Sequence, residues 1–356
     1  MSEHTASGTT SLPTVEGLMK VLNAPEGELG IRNMSLMADT GLAHHHIWLE
    51  RDDIDWVARL PKQSQLGLST RDNLHHQAAC FARAAKSGHT PELQKVLPPS
   101  QELPRGGLLV SAIHGRPARL PEDLPAIAEA LAALHRLDLP SMESRPPIAS
   151  PADAWGTMRE EIERQALWLS EADLDDGAFQ LIQQLLRDLP VRLPDEVRSL
   201  ISFDAHPGNF LITDSGHAVL VDLEKCRYGL PGFDLAHASL YTSTTWDIHH
   251  QTELDIDQIA AFYRHWQQWF GRACHPQTLL ACRKAMWLWS LTWCAKWQTQ
   301  HDMPQDREAQ GEDWSAELSA DSLVTHVRDR AAHYLDPQVI RRIRDEFPTL
   351  RDILNH

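Results

Sequence analysis

Apolar and polar side chains alternate with a period of two in the early part of the chain. HIWLE (46–50) and DWVARL (55–60) both do so, and the turn-like Arg51-Asp52-Asp53 between them predicts a hairpin. A helical stretch is predicted over 73–88, with Gly88 as its C-cap, and a third strand over 106–113. After His114-Gly115-Arg116-Pro117 the period lengthens. Residues 121–137 predict a helix, and 155–186 one or two more. A short β-like island follows at 199–226, with strands over 210–213 and 218–223 joined by the turn Asp214-Ser215-Gly216. Beyond Asp234 the pattern is helical apart from a polar loop at 299–314. The reading is α+β: a polar tail over 1–14, a β-rich N-terminal region over 15–114, and a helical body with one embedded hairpin over 115–356. No internal repeat is present.

Composition narrows the partners. The chain has 356 residues, 42% hydrophobic and 23% charged, enough to bury a sizeable core. Its net charge of −16 disfavours nucleic acid and anionic membrane surfaces and favours cationic ligands. No apolar run reaches the roughly 18 residues of a membrane span. The first residues, MSEHTASGTTSLPT, lack the basic and apolar regions of a signal peptide. Five cysteines without a CxxC spacing read as reduced thiols in the cytoplasm, with no zinc framework. Three consecutive histidines, His44 to His46, lie in an extended segment, where neighbours point to opposite sides and do not converge on a metal.

The embedded hairpin carries the chemistry. Asp204-Ala-His-Pro-Gly-Asn209 precedes its first strand, and Asp222 ends its second. The hairpin can bring Asn209 and Asp222 to one mouth. There their oxygens suit Mg²⁺ held jointly with substrate phosphates. Asp204 would face the same space and could orient or deprotonate a hydroxyl. Loop caps and turn hydrogen bonds are the bland reading of the same residues. Glu224 is open between a site residue and a structural carboxylate.

FDAHPGNFLI…AVLVDLEKCRYGLPGFDLAH (203–237) resembles the aminoglycoside phosphotransferase and choline kinase family. That family's core reads HGDxHxxN, a strand, IDWE, then GDPxxDLA. The resemblance implies a protein-kinase-like bilobal fold, with a small β-rich N-lobe, a hinge near 111–115 and a larger helical C-lobe. It implies ATP or another nucleoside triphosphate as donor, Mg²⁺, and a small hydroxylated acceptor. Asp204 then matches the catalytic aspartate, Asn209 and Asp222 the metal ligands, and Asp234 the buried aspartate that braces the catalytic loop. DWVARLP (55–61) sits where the lysine-bearing strand should be, which puts Arg59 on the phosphates; an exposed edge arginine is the alternative. GGLLVSAIHGRP (106–117) is similar to the strand and hinge under the adenine, with Ser111 and Ile113 as contacts. The loop around Gly41 is where the family covers the phosphates. LAALHRLD (131–138) is similar to the family's helix ending in leucine-histidine. Three departures stand out: Ser202 replaces a histidine, Arg59 a lysine, and Gln77 the acidic partner on the next helix.

Other readings remain. A nucleotide-binding regulatory pseudokinase shares the fold. A protein kinase is disfavoured, because only eleven residues separate Asp222 from Asp234, too few for a peptide platform. Met286, Trp289, Trp293 and Trp297 fall at helical spacing, and Trp266 and Trp269 form an i, i+3 pair. They read as core, with an aromatic wall for a cationic or sugar acceptor as the alternative. His135 reads as a packed or capping residue.

Overall fold

The computed structural model describes residues 12–22, 29–37, 44–62, 64, 66–247, 251–300 and 321–355. Two compact units divide them. The first is built from the described residues up to Ala82 together with 91–112, and the second from 83–90 and the described residues from Ile113 onward.

In the first unit the alternating stretches form the expected strands. β2 (His44–Arg51) pairs antiparallel with β3 (Trp56–Pro61), with Ile47 opposite Ala58 and Leu49 opposite Trp56. The sheet runs β1-β2-β3-β5-β4, where β1 is Ile31–Leu36, β4 Leu93–Leu97 and β5 Gly107–Ser111. Ile47, Leu49, Ala58, Leu60, Leu97 and Leu109 bury one face together, so the period of two sets which residues enter the core, although β3 is buried on both faces from Ala58 on. β3 is therefore an interior strand, and Arg59 lies opposite His46 on one side and Leu108 on the other. The alternation also separates the histidines: His44 and His46 share a face, their ring centroids 6.0 Å apart. α2 (Thr70–Ala84) runs into a 3₁₀ turn that Gly88 closes with φ 73, the left-handed stop that glycine adopts without penalty.

Three elements escape the pattern. α1 (Leu12–Leu22) places Leu18 and Leu22 in the same core at i, i+4 spacing. Its Gly17 lies so close to the chain at Glu102 that a Cβ would meet the Glu102 carbonyl oxygen at 2.4 Å. β4 buries only Leu97 fully, as an edge strand does, and β1 buries no residue fully. Neither shows an alternation to read.

The second unit is helical: α3 (Leu124–His135), α4 (Ala154–Ala166), α5 (Asp176–Arg187), α6 (Gly232–Ser239), α7 (Tyr241–Thr244), α8 (Ile256–Phe270), α9 (Pro276–Gln300), α10 (Asp321–Tyr334) and α11 (Pro337–Leu354). Two small sheets are embedded in it. One is β6 (Arg116–Pro117), β8 (Phe210–Ile212) and β9 (Ala218–Leu220); the other is β7 (Ser199–Ile201) with β10 (Arg227–Gly229). The second hairpin strand stops at Leu220 rather than at residue 223. Leu223 and Glu224 are consecutive and both buried, which a strand with one wet face does not permit.

α9 is buried on every side, Arg283 and Thr292 included, as befits a helix surrounded by others. Met286, Trp287, Trp289 and Trp297 are buried in it, as is Trp266 in α8, while Trp293 is half-buried. These tryptophans are core, apart from Trp269, which is 45% exposed. Among the described residues no helix is long and apolar enough to cross a membrane.

Candidate active site

The loop between β7 and β8 is held from beneath by one buried carboxylate. Asp234, at the start of α6, accepts the Ser202 amide at Oδ2 and the Phe203 amide at Oδ1, both at 2.8 Å. Phe203 has φ 58, in the left-handed region that a bulky side chain seldom enters. Its ring is clamped between Phe233 and Trp289, with the Arg227 guanidinium 3.5 Å above it. The next residue is Asp204. Ser202, which stands where the family pattern has histidine, accepts the Asp204 amide on Oγ at 3.0 Å. Residues 202–204 are thus fixed by directed bonds on a backbone that would otherwise relax.

Asp204 faces cationic and polar neighbours. Lys225 Nζ lies 3.2 Å from its Oδ2 and His237 Nδ1 4.0 Å from its Oδ1. Burial alone would raise the carboxyl pKa. The charge of Lys225, with smaller contributions from His237 and His206, outweighs that and holds it below the ordinary value. Asp204 is therefore an ionised carboxylate at neutral pH. Burial pushes His237 the other way, from 6.5 to about 4, so its ring is neutral there. His206 is also lowered, by burial first, and its Nδ1 accepts the Gly208 amide at 3.2 Å.

Asn209 sits in the same turn. Its Nδ2 donates to the Asp204 carbonyl at 2.8 Å, which commits the amide nitrogen and leaves Oδ1 as the ligating atom. Its own carbonyl accepts the Val221 amide at 2.9 Å, tying the loop to the residue before Asp222. Asn209 Oδ1 is a hard oxygen donor, of the kind that suits a cation completed by phosphate oxygens and water. Among the described residues no cluster of three or more His, Cys, Asp or Glu side chains forms a self-sufficient metal site. Glu224 is buried, next to Lys225.

In the first unit Arg59 is 5% exposed, with its guanidinium carbon 5.3 Å above the Phe81 ring. It is not an exposed edge arginine. Gln77 is buried on α2, and its Oε1 lies 3.1 Å from His44 Nε2, so the residue in the acidic partner's place is engaged with β2. The Ser111 and Ala112 amides donate to the Glu92 and Asp55 carbonyls, and the Ser111 hydroxyl accepts the Glu92 amide. Ile113 follows directly. Gly41 lies outside the described residues.

A family model of the phosphotransferase enzyme family matches residues 40–276, two thirds of the chain. The chain belongs to that family. It is a small-molecule kinase with a protein-kinase-like fold, an antiparallel sheet in one unit and helices in the other. Its sheet unit and helical unit are matched in an aminoglycoside phosphotransferase structure from Alicyclobacillus acidocaldarius, 16% identical with a TM-score of 0.52, over 90% of this chain and 94% of that one. A choline/ethanolamine kinase family protein from Mesorhizobium loti is 17% identical with a TM-score of 0.55, over 95% and 99%. The GDP complex of an aminoglycoside 2'-phosphotransferase is 12% identical with a TM-score of 0.58, over 89% and 97%. No curated protein matches the chain.

Sequence reasoning on this phosphotransferase missed Lys225 and His237 as neighbours of Asp204, and the partners of His135. Lys225 carried a local signal, as the only lysine in the 203–237 block. His237 carried none, since a histidine on a helix reads as packing, and the leucine-histidine resemblance around His135 did not point to its partners.

Proposed function

We propose that this phosphotransferase moves the γ-phosphoryl group of ATP to a hydroxyl of a small molecule in the cytoplasm. The acceptor is aminoglycoside-like, choline-like or sugar-like. The observation that carries the reading is the pair of contacts at Asp204. Asp204 lies against Lys225, and Asn209 is hydrogen-bonded to the Asp204 carbonyl, so base and ligand share a single rigid turn. The net charge of −16 supports a cationic acceptor. The five cysteines are free thiols, as in a reducing compartment.

Asp204 accepts the hydrogen bond of the acceptor hydroxyl and takes its proton as the oxygen bonds to γ-phosphorus. The bond from γ-phosphorus to the β–γ bridging oxygen breaks, and the diphosphate leaves with the electron pair. Lys225 keeps Asp204 ionised until then. Asn209 Oδ1 and the Asp222 carboxylate hold Mg²⁺, which when bound neutralises phosphate charge. Arg59 grips phosphate oxygens through its planar fork, and its charge needs no acidic partner to persist. Ile113 is the donor of the 111–113 stretch available to a base, since the Ser111 and Ala112 amides are committed to the sheet. Positioning and charge neutralisation provide the rate.

The test is release of ADP from ATP across a panel of hydroxylated amines, sugars and aminoglycosides. Turnover with one acceptor class is expected, lost when Mg²⁺ is omitted and strongly reduced by Asp204→Asn. ATP binding with no turnover on any acceptor would replace this reading by the regulatory one.

A further inference from the structure

The brace under the catalytic loop does not end at Asp234. His135 of α3 places Nε2 3.1 Å from Asp234 Oδ2, and Trp266 of α8 donates its indole N–H to His135 Nδ1 at 3.1 Å. His135 and Asp234 are 0% exposed, and so is Trp266. The indole is held in turn by stacking on Phe270, with centroids 4.6 Å apart, and Phe270 meets the His135 ring edge-on.

We infer that His135 and Trp266 are positioning residues for Asp204, acting as a tautomer lock on the loop. An indole nitrogen is a donor and never an acceptor. With Trp266 against Nδ1, that nitrogen must present its lone pair, so the ring proton sits on Nε2 and points at Asp234. Asp234 then receives three directed donors: the Ser202 and Phe203 amides and His135. The opposite tautomer would set two N–H groups against each other and a lone pair against the carboxylate, in a place without water to relieve either. Asp234 would turn toward new donors. The Ser202 and Phe203 amides would lose their acceptor, and the left-handed Phe203 backbone would lose what over-determines it. Asp204, the next residue, would move with it, and small misplacements of a reacting group are costly in rate. The lock reaches Asp204 from two helices that contribute no side chain to the catalytic loop itself.

Amide exchange and imidazole NMR on the full chain test this without any phosphotransferase assay, so failure of the lock and failure of the proposed chemistry read differently. In the parent, His135 should show a single Nε2–H tautomer. In H135L, exchange at the Ser202 and Phe203 amides should rise roughly tenfold or more, the loss of a hydrogen bond to a charged group. Amides of α9 should keep their rates. W266F should give mixed His135 tautomers and a smaller rise at the same two amides. H135Q, whose side-chain amide can accept from the indole and donate to Asp234, should restore slow exchange, and it carries the test with W266F should H135L not fold. An Nδ1–H tautomer in the parent would overturn the inference. So would parental exchange at Ser202 and Phe203 in W266F together with a lowered melting temperature, which is the outcome of packing alone.

Discussion

Asp234 and Arg59 are both charged side chains buried inside this chain, 0% and 5% exposed, and they are accommodated differently. Asp234 receives three directed hydrogen bonds from fully buried donors. Each fixes an angle, and together they determine where the backbone before Asp204 runs. Arg59 lies over the face of Phe81 on an interior strand. That contact sets a charge against a ring face, and it fixes a distance more than an angle. Gln77, in the place of the family's acidic residue, is engaged with His44. The catalytic loop depends on direction, because proton transfer requires it. In the proposed reading Arg59 grips phosphate by charge, which a guanidinium keeps in any surroundings. Two of the departures from the family pattern, Arg59 for lysine and Gln77 for the acid, fall in the first unit rather than in this loop.

The most severe way to break the comparison is at the directed site. Asp204→Asn preserves shape and removes the proposed base. Phosphoryl transfer should fall by roughly 10²-fold or more, with ATP affinity by calorimetry near the parental value. Loss of ATP binding together with turnover would show that the loop senses charge rather than direction.

Arg59→Met retains the stem over Phe81 and deletes the charge. Triphosphate affinity should weaken by about 1.5–3 kcal/mol, the scale of a charged hydrogen bond. Adenosine affinity should barely change. Equal losses for both ligands would make Arg59 a packing residue of β3 and erase the contrast.

Lys225→Met sharpens the comparison by stripping the loop of the charge that opposes burial. Asp204 is held low by Lys225 against a burial effect of the opposite sign. Without Lys225 its pKa should rise, and the acid limb of the kcat/KM profile should shift toward neutral pH. An unmoved acid limb would assign that limb to another group.

The smallest effect concerns His237. Burial lowers it from 6.5 to about 4, so the folded chain resists a proton that the unfolded chain accepts. Stability from this group therefore falls as pH drops from about 6.5 toward 4. His237→Phe should flatten that part of the stability curve measured by urea unfolding. A curve of unchanged slope would locate the acid sensitivity elsewhere.

Much of the fold was legible because burial and period coincide. β2 and β3 alternate, and one face of that alternation is the core of the first unit. α3 and the tryptophan-bearing helices announced themselves by spacing and apolar content. β1 and β4 did not, since strands with so little buried surface leave no hydrophobic signature. α1 went unread because its two core leucines follow a small polar run that resembles a tail.

Within the candidate site the division follows distance along the chain. The sequence by itself determined the fold class, and it assembled Asp204, Asn209 and Asp222 as candidates, because a short hairpin brings neighbours in sequence to one mouth. It also singled out Arg59 as a departure. Only the tertiary structure decided that Arg59 is buried over Phe81 rather than exposed. It alone brought Lys225 and His237 to Asp204. It alone joined His135 to Asp234 across 99 residues and Trp266 to His135 across 131. Such pairings obey no period. They exist because several helices pack on one loop, and buried polar atoms there must find partners wherever in the chain those partners lie.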